Sequence, residues 1–547
     1  MNPNAARTIA MPALFLVAVA VAVALFVMVT SKGLMLALAF GIFVSALIYS
    51  MTSTGAAIWC LIFAAYFEAL YKGASASLFT MLIKDFFLVI AVLRLLYMSQ
   101  RQRDFRWLQQ PFTTAAVVFV IYCVALMFAP STRSILLAMA GLRGWILWMP
   151  VYFPAYAYFT GKEVVTKFLV VLMLVQLPVQ VYGIVQGNIG YEHTKIIPGF
   201  YEITKWYRVD INLNEGRHPD NAEGGGGGID SAFKPIMAVR ACSITISPAT
   251  LGAMACLTIM LSLGVLAFTA SPAMRLWSLV SALAAAGGLL ASGSRTPMIG
   301  VAAGVLAMVA LSRQKTAVIG GIIVVILGGV FVLKDISGGG AIRLQRTLSV
   351  AGTVERAMYP MRVGWDIGFS HPFGNGIATG AGIGRMFYSS RLQQAEGSRF
   401  IENEFGRAMS ELGIVGSAVW VGMLISLLWR CASAVRSMGN RPETALAAAL
   451  YGVMVAIFIQ LGVGAALYAA QPGMYFWIFG AAIIRLAQFA RQEPDAPQAG
   501  PAHPQMKRFG RVWLPVEEVP QRAPGGLKRR SSETPRPEPL PETTDVL

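Results

Sequence analysis

Residues 9–30 read IAMPALFLVAVAVAVALFVMVT, an unbroken apolar run. A helix crosses the hydrocarbon core of a bilayer in roughly 20 residues, so this run is long enough to span it. On its N-terminal side only Arg7 flanks the run, and the run is too long for the apolar centre of a signal peptide. It reads as a retained anchor. Similar runs follow at 33–50, 55–71, 78–97, 112–129, 143–159, 164–186, 243–268, 275–292, 296–312, 316–333, 408–429, 443–468 and 473–489. Each must be helical, because a lone apolar strand leaves its backbone groups unpaired in lipid. The expected fold is therefore all-α: a polytopic integral membrane bundle of about 14 transmembrane helices. Two long polar loops, 187–240 and 334–407, interrupt it.

Composition agrees with this reading. Mean hydropathy is +0.61 and charged residues make up 13%, about half the usual share of a soluble domain. The net charge of +17 therefore points first to membrane orientation, not to nucleic acid. Arg101, Arg103 and Arg106, then Arg313 and Lys315, then Arg430, Arg436 and Arg441 fall in short connections. Setting all three groups on the cytoplasmic side leaves both termini in the cytoplasm and both long loops outside it. Cys60, Cys123, Cys242, Cys256 and Cys431 are dispersed without ligand spacing and read as packing residues. The four histidines are dispersed too, so neither a metal nor a cofactor is expected.

Residues 1–489 form the expected membrane domain. The tail 490–547 holds 11 of the 28 prolines and few apolar clusters, so it is expected to be a disordered cytoplasmic segment. Within it, Lys507–Trp513 is a short cationic patch able to touch anionic headgroups. Gly224–Gly228 reads as a hinge in the first long loop, and the acids Asp220, Glu223 and Asp230 beside it match no calcium-loop spacing.

Three loop-to-span junctions concentrate the chemistry. Arg240 precedes Ser247-Pro248 at the start of one span, and Ser294-Arg295-Thr296 lies between two others. Cations at membrane depth are costly, and a pair of guanidiniums can grip a pyrophosphate through charge-assisted hydrogen bonds. The plainer alternative is that each arginine snorkels to the headgroups. The third junction runs from Arg362 to Gly416. In it Arg407 and Glu411 sit at i,i+4, where they can meet on one helix face as structural support. Gly413 and Gly416 sit three apart, a spacing that permits close helix contact.

These motifs together resemble the bacterial O-antigen polymerase and O-antigen ligase superfamily, the exopolysaccharide polymerase-like membrane proteins. That family carries a His-Asn pair followed by Glu-x-Gly-x-x-Gly at the start of the next span. Asn403, Glu411, Gly413 and Gly416 keep that spacing. Arg362-x-x-Trp365 and His371-Pro372-Phe373-Gly374-Asn375-Gly376 resemble the approach to the same loop. Arg240 with Ser247-Pro248, and Ser294-Arg295-Thr296, resemble its two earlier junctions. The likeness covers roughly residues 235–430. In place of the histidine stands Glu402, which weighs toward a polymerase over a lipid A-core ligase.

The resemblance implies a multi-pass protein of the bacterial cytoplasmic (inner) membrane, similar to other membrane glycosyltransferases. It implies a metal-independent transfer from an undecaprenyl-pyrophosphate-linked glycan at the outer face, for O-antigen, capsule or exopolysaccharide. Arg240 and Arg295, assisted by Arg362, would hold the pyrophosphate. Arg385, Arg391 and Arg399 would guide the headgroup. Glu402 would be the base and Asn403 would position the acceptor. Chain-length regulators and export proteins are the implied partners. Two other classes remain open: a lipid-linked glycan transporter, for which Lys84, Asp85 and Arg94 in one span are the relevant residues, and a non-catalytic scaffold.

Overall fold

The computed structural model describes residues 34–68, 78–130, 132, 135–189, 241–245, 247–312, 319, 322–323, 350–379, 403–464, 466–467, 469–492, 506–509 and 512–515. Between Leu34 and Gln492 every regular element described is a helix. We number them α1 (Leu34–Ser50), α2 (Thr54–Tyr66), α3 (Leu78–Gln102), α4 (Pro111–Leu126), α5 (Ile135–Ile146), α6 (Tyr152–Tyr158) and α7 (Lys162–Ile189). There follow α8 (Pro248–Phe268), α9 (Pro272–Ser292), α10 (Arg295–Leu311), α11 (Val350–Ser370), α12 (Glu404–Ser437), α13 (Glu443–Gln460) and α14 (Ala470–Gln492).

Six of these helices are long and apolar enough to cross a membrane: α7, α8, α9, α12, α13 and α14. A seventh crossing is available if α5 and the Met149–Tyr158 segment count as one span bent by 41°. The uninterrupted span expected over 143–159 is thus broken at Leu147-Trp148. Pro150 helps to explain the break, because it supplies no N–H to an α-helical ladder. Shorter apolar helices occupy Gly41–Ser50, Thr54–Tyr66, Phe112–Leu126 and Arg295–Leu311. The spans expected at 9–30 and 316–333 lie outside the described residues, apart from isolated helical positions at 319 and 322–323.

Burial grades from the middle of the bundle outward. α8 is apolar around its whole circumference and is buried along nearly all its length, as a central helix must be. It packs against α7, α9, α10 and α13. α10 and α13 cross where Gly304 and Gly452 bring their backbones together: a methyl on Gly304 would lie 2.6 Å from the Gly452 carbonyl oxygen. Small residues at a crossing let two membrane helices gain contact along their backbones. On the periphery, Leu136 is 75% exposed and Leu306 is 71% exposed. Such side chains suit a lipid surround, where exposing an apolar group costs nothing.

Two features depart from the sequence expectation. The second long loop is not all loop, because 350–370 form α11, which packs along α12. In the tail, Met506–Phe509 and Val512–Pro515 form an antiparallel pair in the stretch expected to be disordered. The chain divides into two compact units after Gln492, three residues beyond the expected boundary.

Candidate functional site at one end of the bundle

The first junction is tied to the second through backbone. The Ala241 N–H donates to the Ala291 carbonyl near the end of α9 at 3.0 Å. The Gln186 side chain of α7 accepts from the Cys242 and Ser243 N–H groups at 2.8 and 2.7 Å. The Ser243 hydroxyl donates to the Val179 carbonyl at 2.6 Å. Helix α8 then starts where Ser247 accepts from the Thr250 N–H at 3.1 Å, with Pro248 in the first turn. One turn on, Gly252 packs against the second junction. A methyl there would lie 2.7 Å from Pro297 Cγ and 3.0 Å from the Ser292 hydroxyl.

That second junction is a tight corner. Gly293 caps α9 in the left-handed region (φ 56°), Ser294 turns the chain, and Arg295 opens α10 with its side chain half-buried. The structure therefore brings the segment after Arg240 against the turn that carries Arg295. Arg240 itself lies outside the described residues, as do Arg385, Arg391, Arg399 and Glu402, the expected base.

The third junction reaches the same end through α13. Gly300, on the second turn of α10, packs on the Gln460 side-chain amide. Just beyond Gln460, the Leu461 carbonyl accepts from the Glu404 N–H at 3.1 Å, and the Gly462 carbonyl accepts from Asn403 Nδ2 at 3.1 Å. The other end of the Asn403 amide accepts from the Gly406 N–H at 2.7 Å, capping α12. Asn403, expected to position an acceptor, thus fastens the start of α12 to the end of α13. Glu404 is buried beside it and accepts from the Leu467 N–H at 3.0 Å.

One turn into α12, the expected pair is formed. Arg407 Nε donates to Glu411 Oε1 at 3.1 Å, and the Glu411 side chain is 0% exposed. The Trp145 indole N–H of α5 donates to Glu411 Oε2 at 2.8 Å, and the Arg407 guanidinium lies 4.4 Å from the Trp145 ring centroid. A buried carboxylate is tolerated only when charge and hydrogen bonds replace its lost water, and Arg407 and Trp145 supply both. Trp420 packs edge-on against Trp145 at 5.5 Å, closing the apolar side.

Immediately after Glu411 the helix breaks. Gly413 takes φ 68° and ψ −175°, so it is not the helical small residue that its spacing suggested. The break frees carbonyls and N–H groups, and the hook after α11 takes them. Asn375 N–H donates to the Ser410 carbonyl at 3.2 Å, and Val415 N–H donates to the Pro372 carbonyl at 3.1 Å. The Tyr122 hydroxyl of α4 lies 2.8 Å from the Leu412 carbonyl and 2.9 Å from that of Phe373. The motif His371–Gly376 is therefore a backbone latch across a broken helix. Gly416 makes the expected close contact, with the Tyr122 ring. Arg362 is exposed on α11, two residues before Gly364, which touches the Gly406 backbone.

Further charges were not fully legible in sequence. Lys84 pairs with Glu68, both buried, and Asp85 pairs with Arg143 through two hydrogen bonds, one of them 3.0 Å. The neighbours Lys84 and Asp85 thus take separate partners, in keeping with their different directions on a helix. Trp145, Glu68 and Glu404 carried no local signal, since each finds its partner in another element, and Gln460 carried none because only packing sets Gly300 against it. All five cysteines are buried and in no disulfide. No protein-family model matches the chain, and no curated protein matches it in sequence.

Proposed function

We propose that this protein is a membrane glycosyltransferase that joins undecaprenyl-pyrophosphate-linked oligosaccharide units at the outer face of a bacterial cytoplasmic membrane. One observation carries the reading. The starts of α8, α10 and α12 and the end of α13 meet at one end of the bundle, so the junctions singled out by sequence are close neighbours. Two buried amide nitrogens at that end, Nε2 of Gln186 and of Gln460, have no hydrogen-bond partner among the described residues.

In the proposed reaction an acceptor hydroxyl attacks the anomeric carbon of the donor glycan. A new C–O bond forms as the bond from that carbon to the pyrophosphate oxygen breaks. The acceptor proton passes to Glu402, and the charge on the departing pyrophosphate is met by Arg240 and Arg295, with Arg362 assisting. Stabilising charge where it develops is usually the largest catalytic term. The full set of about 14 crossings, cytoplasmic termini and outward-facing loops belongs to the same proposal.

The test is elongation of lipid-linked repeat units by purified protein. Arg295→Ala is expected to lower output by about 10²- to 10³-fold at normal membrane abundance. Glu402→Gln is expected to abolish output that Glu402→Asp retains in part. Full output from Arg295→Ala would overturn the pyrophosphate assignment, and equal activity in Glu402→Gln would exclude a base. In a deletion strain, accumulated single repeat units indicate a polymerase and accumulated lipid-linked polymer indicates a ligase. A lipid-linked glycan transporter is the second reading, favoured by the ion pairs Lys84–Glu68 and Asp85–Arg143 on α3. It predicts movement of lipid-linked glycan across vesicles without elongation.

A further inference from the structure

Helix α11 has two unlike faces. One packs on the first turns of α12 through small residues. A methyl on Gly364 would lie 2.4 Å from the Gly406 carbonyl oxygen, and one on Gly368 would lie 2.9 Å from that of Met409. Contacts advance together along both chains, so α11 and this part of α12 run side by side in the same direction. The opposite face carries Tyr359, Arg362, Trp365, Asp366 and Phe369, three or four residues apart as one helical stripe requires. All are exposed, and the stripe continues into the latch with Phe373, which is 70% exposed. The Trp365 and Phe369 rings lie tilted with centroids 5.5 Å apart, so the aromatic surface is continuous between these two.

The depth of this stripe follows from α12. Its acids and the arginine between them, Glu404, Arg407 and Glu411, all precede the break at Gly413, and an apolar run from Ile414 to Trp429 follows. The break therefore marks the edge of the hydrocarbon, and α11 lies on the polar side of that edge. Phe373, whose neighbour Pro372 bonds to Val415, reaches the edge itself.

We propose that α11 descends into the membrane interface, with Tyr359 and Arg362 at its outer margin and the aromatic end, Trp365, Phe369 and Phe373, covered by the phospholipid headgroup and upper acyl region. Tryptophan and phenylalanine match the chemistry of that layer, where rings bury among headgroups and acyl chains. Tyr359 and Arg362 lie shallowest, and Phe369 and Phe373 deepest. The stripe ends at Phe373, whose neighbour Pro372 is bonded to Val415 at the start of the apolar run of α12, which is why lipid is its occupant. The inference does not depend on the glycan reading or on which leaflet is involved.

The native cysteines are all buried, so single cysteines can report on this face. Tyr359→Cys, Phe369→Cys and Phe373→Cys would each carry a bimane label in nanodiscs of phosphatidylglycerol and phosphatidylcholine. Leu306→Cys serves as the lipid reference and Gln102→Cys as the aqueous one. Labels at 369 and 373 are expected to be quenched by spin-labelled acyl chains at least about twofold more than the Gln102 label, with little quenching by iodide. Quenching by the deeper spin label should rise from 359 to 369 to 373. Iodide quenching equal to that of the Gln102 label would overturn the proposal by placing the face in water. Protection from both quenchers would overturn it in favour of a covering protein, and a reversed depth order would overturn the placement. Each position reads independently, so one poorly folded variant leaves the others decisive.

Discussion

Gly413 and Gly374 meet backbone to backbone where α12 breaks. A methyl on Gly413 would lie 2.3 Å from the Gly374 nitrogen, and one on Gly374 would lie 2.4 Å from the Glu411 carbonyl oxygen. Both residues have positive φ, 68° and 95°. Only glycine satisfies both conditions, since any side chain is strained in that conformation and has no room. The contact holds the latch over the break and so sets where the Arg407–Glu411 pair sits relative to α5.

Gly413→Ala is expected to destabilise the protein by more than the roughly 1–2 kcal/mol of the left-handed conformation alone, because the steric clash adds to it. Gly422, further along α12, has open space around it and no positive φ. Alanine there is expected to be neutral or stabilising by about 0.5–1 kcal/mol. Thermal midpoints in detergent compare the two. Equal midpoints for both variants would show that the latch does not need the glycine.

Removing one partner of the buried pair leaves the other charge uncompensated. Glu411→Ala is expected to cost about 3–5 kcal/mol, and Arg407→Met with Glu411→Met together much less than the sum of the singles. A double-mutant cycle in unfolding free energy measures this coupling. Additive losses would mean that the two side chains do not act as a pair. Trp145→Phe keeps the ring near the guanidinium but removes the indole N–H, and about 1–3 kcal/mol should go with it.

Asn403 has two jobs in the structure, and substitutions separate them. Asn403→Ser retains an acceptor for the Gly406 N–H but cannot reach the Gly462 carbonyl as the longer amide does. Asn403→Ala loses both and is expected to cost about 1 kcal/mol or somewhat more. If elongation activity falls in Asn403→Ser while the thermal midpoint holds, the link to α13 matters for the site and not merely for folding.

The chain divides after Gln492, and the described residues beyond it are the antiparallel pair Met506–Phe509 and Val512–Pro515. Deleting 493–547 is therefore expected to leave the thermal midpoint of the membrane unit unchanged in detergent. The antiparallel pair is short, and an isolated two-stranded hairpin is marginal in water. Limited proteolysis should remove the tail first. A lowered midpoint on deletion would show that the tail supports the bundle.

Sequence alone determined the material and much of the punctuation of this protein. Apolar runs of bilayer length specify helices because lipid offers backbone groups no other partner, and most runs that fall among described residues are helical. Local pairs were legible for the same reason that they are local: Arg407 and Glu411 lie one turn apart on one helix, and geometry leaves them little choice. Spacing could not show that Gly413 breaks the helix, because the cause is the latch at Pro372–Asn375, far away in the chain. Nor could it show Trp145 feeding Glu411, Glu68 answering Lys84, or Asn403 bonded to the end of α13. Those contacts join residues from different helices, and only packing decides which helix faces meet. The convergence of the junctions at one end of the bundle belongs to that tertiary level, where a hydrogen bond such as Ala241 to Ala291 ties one helix end to the next.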